Sequence, residues 1–178
     1  MNDNIIKEAL SYALGSDLHE AWRAPRKLAD GTYEPRMKKS KDEKWNAIHG
    51  TDEVDIANCS FENLPSNWQY ENLEAAKVAI GLVYDKVNAL ESFSEEEISK
   101  MASTIHDEWL KRNNWVFDAN YGDPKLAVPY EQLSKEEQDK DKAQLLPAIE
   151  KVKLYLAGNI NIDQICEQYG INQDSMTR

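Results

Sequence analysis

Two short motifs occur twice in this chain, in the same order, and that repetition constrains its fold more than any other feature. His19-Glu20-Ala21-Trp22 returns as His106-Asp107-Glu108-Trp109, and Phe61-Glu62-Asn63-Leu64 returns as Tyr130-Glu131-Gln132-Leu133. The first pair is offset by 87 residues and the second by 69. Repetition on this scale points to a duplicated supersecondary unit. The apolar stripes agree with the motifs. Leu14, Leu18 and Trp22 map by 87 onto Met101, Ile105 and Trp109, and Ala76, Ile80, Val83 and Val87 map by 69 onto Leu145, Ile149, Val152 and Leu156. Steps of three and four within each stripe are helical. The expected fold is therefore mostly α: two helix-loop-helix repeats packed with pseudo-two-fold symmetry. Residues 1–90 form the first repeat, 91–158 the second, and 159–178 a C-terminal tail with a short helix around Ile162 to Tyr169.

The punctuation between stripes sets the element boundaries. A first helix over 4–23 should stop before Pro25, because proline disfavours helix at the residue before it; Gly15 weakens its middle. Residues 66–90 are the clearest helix, with Ser66 and Gln69 spaced as a capping box. Ser94 with Glu97 and Ser134 with Glu137 have the same spacing at the next two starts. Residues 113–132 read as a loop around Tyr121-Gly122-Asp123-Pro124. Pro147 lies inside the last long pattern and should bend or break it, and Gly158 should end it. The final residues are expected to fray.

The two offsets differ by 18 residues, so the first copy carries an insertion between its two motifs. Forty structureless residues, 24–63, would be unusual in a compact domain; a short helix near Ser40 to Ile48 is expected there. Net charge is −11, which argues against general nucleic-acid binding. Residues 23–44 nevertheless hold eight basic and four acidic groups, net +4. Such an island on an acidic chain is where a small anion would be held; the alternative is an ordinary solvated loop. No apolar run approaches the ~20 residues that span a bilayer, and Met1-Asn2-Asp3-Asn4 lacks the start of a signal peptide. The expected location is cytoplasmic, without membrane association. Cys59 and Cys166 form no Cys/His cluster, so neither a metal site nor a cofactor is expected.

The second half resembles the ryanodine-receptor repeat. The residues that carry the resemblance are Ile105-His106-Asp107-Glu108-Trp109, Trp115, Tyr121-Gly122-Asp123 and Leu126-Ala127-Val128-Pro129-Tyr130-Glu131-Gln132-Leu133. They follow the family order of a helix ending H-x-x-W, a turn with tryptophan and glycine, an L-V-P-Y block and a second helix. The turn departs from the family pattern, since no glycine precedes Trp115. The first half matches through His19, Trp22, the Phe61 to Leu64 block and the following helix, and it lacks Val-Pro-Tyr. In the large animal calcium channels these repeats occur as tandem pairs, and the tryptophan of H-x-x-W lies in a cleft that holds an adenine nucleotide. Small bacterial and phage proteins with such repeats are proposed to sense nucleotide-like signals of antiviral immunity. The resemblance thus implies a cleft between two repeats with Trp22 and Trp109 against the base.

The residues themselves leave two readings of those tryptophans: stacking surfaces for a flat heterocycle, or core positions continuing the apolar stripes. Arg23 and Arg26 follow Trp22, and Arg112 follows Trp109 closely. Arg36 and Lys38 lie in the insertion. An arginine fork suits phosphate oxygens. His19 and His106, one per repeat, fit a structural bond to a neighbouring loop better than catalysis, and no nucleophile has triad logic around them. The expectation is a non-catalytic protein that binds a nucleotide-like ligand (an adenine nucleotide or an ADP-ribose-type signal), as a sensor or as a phage protein sequestering the signal. Its site residues would be Trp22, Trp109, Arg23, Arg26, Arg36, Lys38, Arg112, His19 and His106. The alternative is an interaction module without a small ligand, forming homo-oligomers or docking a protein partner through its acidic helices. A third reading is an enzyme acting on a nucleotide signal with a histidine base.

Overall fold

A computed structural model describes residues 2–173. It is mostly helical, with seven α-helices and one two-stranded sheet among the described residues. The helices are α1 (Asp3–Arg23), α2 (Glu43–His49), α3 (Ser66–Asn88), α4 (Glu95–Arg112), α5 (Lys135–Lys142), α6 (Leu145–Leu156) and α7 (Ile162–Tyr169). The strands β1 (Met37–Lys39) and β2 (Glu53–Asp55) pair antiparallel, with Lys38 opposite Val54. The chain divides into two compact units, residues 1–76 with 162–178, and residues 77–161. The division falls inside α3, and α7 belongs to the first unit. No helix is long and apolar enough to cross a membrane among the described residues. The fraying expected of the final residues concerns 174–178, which lie outside the described residues.

In the first unit, α1 buries Ile5, Ile6, Ala9, Leu10 and Leu14. Phe61, Leu64 and Leu73 form a buried cluster against which Tyr12, Ile56, Trp68 and Tyr169 pack. The Tyr12 and Tyr169 rings stack at 4.6 Å, holding α7 to α1. Gly15 has a packing reason to interrupt the helix: an added Cβ would lie 3.1 Å from the edge of the Phe61 ring. The long connection is ordered by a hairpin that hydrophobic periodicity did not signal. Its strands are three residues each, too short to express an alternating pattern. The helix between them, α2, falls close to where it was expected.

The expected Ser66 capping box is replaced by a longer-range device. Ser66 is itself the first helical residue, and its N–H donates to Asp42 Oδ2 at 3.0 Å. Asp42 Oδ1 accepts from the Trp45 N–H at 3.1 Å, so one carboxylate caps both α2 and α3. Gln69 turns away from Ser66 and donates to the Phe61 carbonyl at 2.9 Å. Those two backbone bonds to Asp42, Ser66 first and Trp45 second, lower its pKa below the ordinary value.

In the second unit, Ser94 and Ser134 accept from the Glu97 and Glu137 N–H groups, as their spacing implies. The last long pattern breaks into α5 and α6, with Pro147 in the first turn of α6, where its missing N–H costs little. Gly158, at φ 78°, closes α6: its N–H reaches the Tyr155 carbonyl and that of Asn159 reaches Leu154, the two bonds of a Schellman motif. Leu90 does the same for α3 at φ 59°, an unusual role for a side chain that is not glycine. The loop after α4 wraps Gly122 tightly, with the Gly122 and Asp123 N–H groups bonded to the Asp118 and Val116 carbonyls.

Candidate ligand site

The end of α1 and the hairpin meet at a pocket within the first unit. His19 is buried and its Nε2 lies 2.7 Å from the Cys59 carbonyl. A carbonyl only accepts, so Nε2 carries the proton. Burial lowers the His19 pKa, with the Cys59 bond opposing that shift. The ring is thus a neutral anchor for the loop, as a structural histidine should be. Trp22 stacks on it with centroids 5.8 Å apart, yet remains 38% exposed. Trp22 is therefore not a closed core position.

The pocket holds about 360 Å³ and is lined by Trp22 and Trp68, by Arg26, Arg36 and Lys38, and by Glu71, Asn72 and apolar neighbours. Trp68 is fixed by its indole N–H, which donates to the Lys39 carbonyl at 2.9 Å. The same strand presents Lys38, whose ammonium lies 5.4 Å from the Trp68 ring centroid. The Arg26 guanidinium lies 4.6 Å from the Trp22 centroid. Arg36 is set one residue before β1, its N–H bonded to Asp55 Oδ1 and its carbonyl accepting from Ile56. No ion pair engages the Arg26, Arg36 or Lys38 side chain among the described residues, although the chain as a whole is acidic. Three cations outside any ion pair among the described residues, against the single carboxylate of Glu71, beside two indoles can hold an anion that carries a flat ring.

Not every residue singled out by sequence joins this pocket. Arg23 is committed elsewhere: Nε donates to the Ala57 carbonyl at 2.8 Å, the fork bonds Glu20 at 2.7 Å, and the guanidinium covers the Tyr33 ring. It clamps the long connection onto α1. His106 and Trp109 lie in the second unit and line a pocket of about 340 Å³ there, while Arg112 ends α4 without lining it. Each tryptophan thus belongs to a pocket of its own unit. Burial first of all pushes the Cys59 thiol above its ordinary pKa, which makes it a poor nucleophile.

Trp68, Glu71 and Asn72 were missed by sequence reasoning. Trp68 had a legible signal: it precedes Leu73 by five residues and so falls off the apolar stripe of α3. A large aromatic off the stripe has to find another surface. The polar pair had no such mark.

The His-x-x-Trp anchor recurs in the second unit. His106 Nε2 donates to the Val128 carbonyl at 2.7 Å, and the His106 and Trp109 rings stack at 6.1 Å. Gln138 donates to the Tyr130 carbonyl at 2.9 Å, as Gln69 does to Phe61. Compared with family models, with curated proteins and with solved structures, the chain finds no match.

Proposed function

We propose that the first unit binds a small nucleotide-like anion without transforming it, and that the two units are diverged copies of one ryanodine-receptor-like repeat. The observation that carries the binding reading is the convergence of Arg26, Arg36 and Lys38 on a pocket walled by Trp22 and Trp68, with none of the three held in an ion pair among the described residues. Arg26 and Lys38 lie over the indole faces. A nucleotide exchanges both contacts: the base takes an indole face and the released cation turns to phosphate. Stacking a base on an aromatic side chain is worth about 1–3 kcal/mol, and each charge-assisted phosphate contact is stronger than a neutral hydrogen bond. Neutral His19 and the high-pKa Cys59 favour binding over catalysis. Such a protein would act as a sensor or would sequester its ligand.

The test is thermal denaturation and calorimetry with AMP, ADP, ADP-ribose and inorganic pyrophosphate. The expected result is saturable stabilisation by an adenine nucleotide or ADP-ribose, weakened by Trp22→Ala and by Arg36→Ala. Losing one stacked contact of about 1–3 kcal/mol corresponds to roughly 5- to 150-fold in affinity. No response to any of the four compounds refutes the reading. Recovery of altered ligand after incubation would turn it into an enzyme.

One observation favours an interaction module as second reading. An open groove of about 880 Å³ in the second unit is lined by Val87, Leu90, Phe93, Ile98, Leu146 and Leu156 among others, and Leu90 is 88% exposed. Sedimentation of the free chain tests it: a concentration-dependent dimer abolished by Leu146→Glu supports association through this groove.

A further inference from the structure

The polar groups of the first unit's pocket are sorted by the segment that supplies them. Its three cations come from the connection between α1 and α3: Arg26 just after α1, Arg36 before β1 and Lys38 within it. Helix α3 supplies Trp68, Glu71 and Asn72. These stand at i, i+3 and i+4, so they share one face of the helix, with Cβ atoms about 5–6 Å apart along it. Neighbouring carboxamides are committed to the backbone: Asn58, Asn67 and Gln69 donate to the Tyr33, Lys39 and Phe61 carbonyls. The Asn72 side chain, by contrast, makes no hydrogen bond among the described residues. Phosphate has no use for a carboxylate, and Glu71 repels it. Its place on an otherwise cationic lining suits a ligand that brings N–H donors as well as negative charge.

We propose that Glu71 and Asn72 read the base of the ligand, and that the pocket prefers guanine to adenine. This rests on the reading of the pocket as a nucleotide site. A carboxylate only accepts, whereas a carboxamide offers N–H groups beside its oxygen. Along one edge guanine carries the O6 acceptor, the N1–H donor and the N2 amino donor. The Asn72 amide donates to O6, and the Glu71 carboxylate accepts from N1–H and N2–H together, a two-pronged charge-assisted pair. Adenine carries along the same edge only the N6 amino donor and the N1 lone pair. Asn72 satisfies those two, and Glu71 is left without a donor. Stacking on an indole and the contacts of Arg26, Arg36 and Lys38 with phosphate are the same for both purines. Adenine nucleotides therefore still bind, more weakly.

The experiment is a calorimetric titration of the full chain with GDP, IDP, ADP and inorganic pyrophosphate at one ionic strength. IDP keeps O6 and N1–H and lacks the N2 amino group. The expected result is that GDP binds at least roughly tenfold more tightly than ADP, the scale of a hydrogen bond to a charged group, with IDP between them. Glu71→Ala should erase the preference for GDP over ADP without weakening pyrophosphate, and Asn72→Leu should weaken GDP by roughly 2- to 10-fold, the scale of a neutral hydrogen bond. The wild-type series needs no variant and decides by itself if either variant fails to fold. GDP that binds no more tightly than IDP or ADP overturns the proposal, and so does a preference that survives Glu71→Ala. Three nucleotides that bind no better than pyrophosphate overturn it too, while leaving an anion site. Failure of all four compounds to bind takes the nucleotide reading down with it.

Discussion

Replacing Asp141 by asparagine should stabilise the protein near neutral pH and leave it nearly unchanged in acid. Burial pushes the Asp141 carboxyl from its ordinary 3.8 to about 6; the His106 ring acts the other way, and Glu137 adds to the rise. The charged groups that face it are His106 from α4 and Glu137 and Lys140 from its own helix, α5. The sign follows from proton counts. Between pH 3.8 and about 6 the folded state holds a proton that the unfolded chain has released, so stability falls as pH rises through this window. Above it the folded state bears the full cost of the buried charge. At about 1.36 kcal/mol per tenfold change, the difference between 3.8 and about 6 is worth about 3 kcal/mol. A neutral carboxamide in place of the carboxylate escapes that cost. Urea denaturation of wild type and Asp141→Asn at about pH 4 and about pH 7.5, on either side of the window, measures it. The difference in unfolding free energy between the two proteins should grow in the variant's favour by about 2–3 kcal/mol from the lower to the higher pH. A difference that stays flat with pH would refute the assignment of a carboxyl whose pKa burial raises. Growth in the opposite direction would mean that Asp141 is ion-paired in solution.

Two further perturbations test the local geometry. Gly122→Ala should destabilise by about 1–3 kcal/mol, the range of overpacking, because its Cβ would sit hard against the Val116 and Asp118 carbonyl oxygens; a thermal midpoint within error of wild type would contradict the tight turn. Asp42→Ala removes the cap of α2 and the acceptor for the start of α3, and each cap is worth about 0.5–2 kcal/mol. Since the folded pKa of Asp42 is lowered, its contribution is present above the unfolded pKa of 3.8 and fades as pH falls through the folded value. The gap in stability between wild type and Asp42→Ala should therefore narrow in acid, as denaturant titrations at about pH 7 and about pH 3 would show.

Helices with long apolar stripes were legible because burial enforces their period. Ile80, Val83 and Val87 on α3, and Ile149 and Val152 on α6, lie where the period of three and four places them, and all are buried. The serine caps of α4 and α5 were legible for the same local reason, since the cap and its N–H partner are three residues apart. The cap of α3 was not, because its acceptor, Asp42, lies 24 residues away in sequence. The candidate site divides along the same line. Trp22, Arg26, Arg36 and Lys38 could be named from composition and spacing. Arg23 satisfied the same criteria and was used elsewhere, because the Ala57 carbonyl and Glu20 are within its reach. Which cation faces a cavity and which one clamps a loop is decided by contacts between distant segments, and these leave no periodic trace.

The proposed duplication gives that long connection a role beyond linking two helices. Both units keep an anchor in which a histidine Nε2 holds a loop carbonyl and a tryptophan stacks on the ring. What differs is the lining. In the first unit, Arg26, Arg36 and Lys38 all come from the connection between the two motifs, with β2 pairing Lys38 into place. In the second unit the equivalent connection contributes only Leu126 to the lining, and the polar groups come instead from α5 and the residue after Ala143. The two pockets thus keep the same anchor while their charge is set by different segments, the long connection in the first unit and α5 in the second. On a duplicated scaffold, selectivity would then be set by both the connection and the helix that follows the second motif, while the histidine and tryptophan maintain the shape. Exchanging the anchor residues should damage both folding and binding, whereas Lys38→Glu should weaken anion binding with the fold intact.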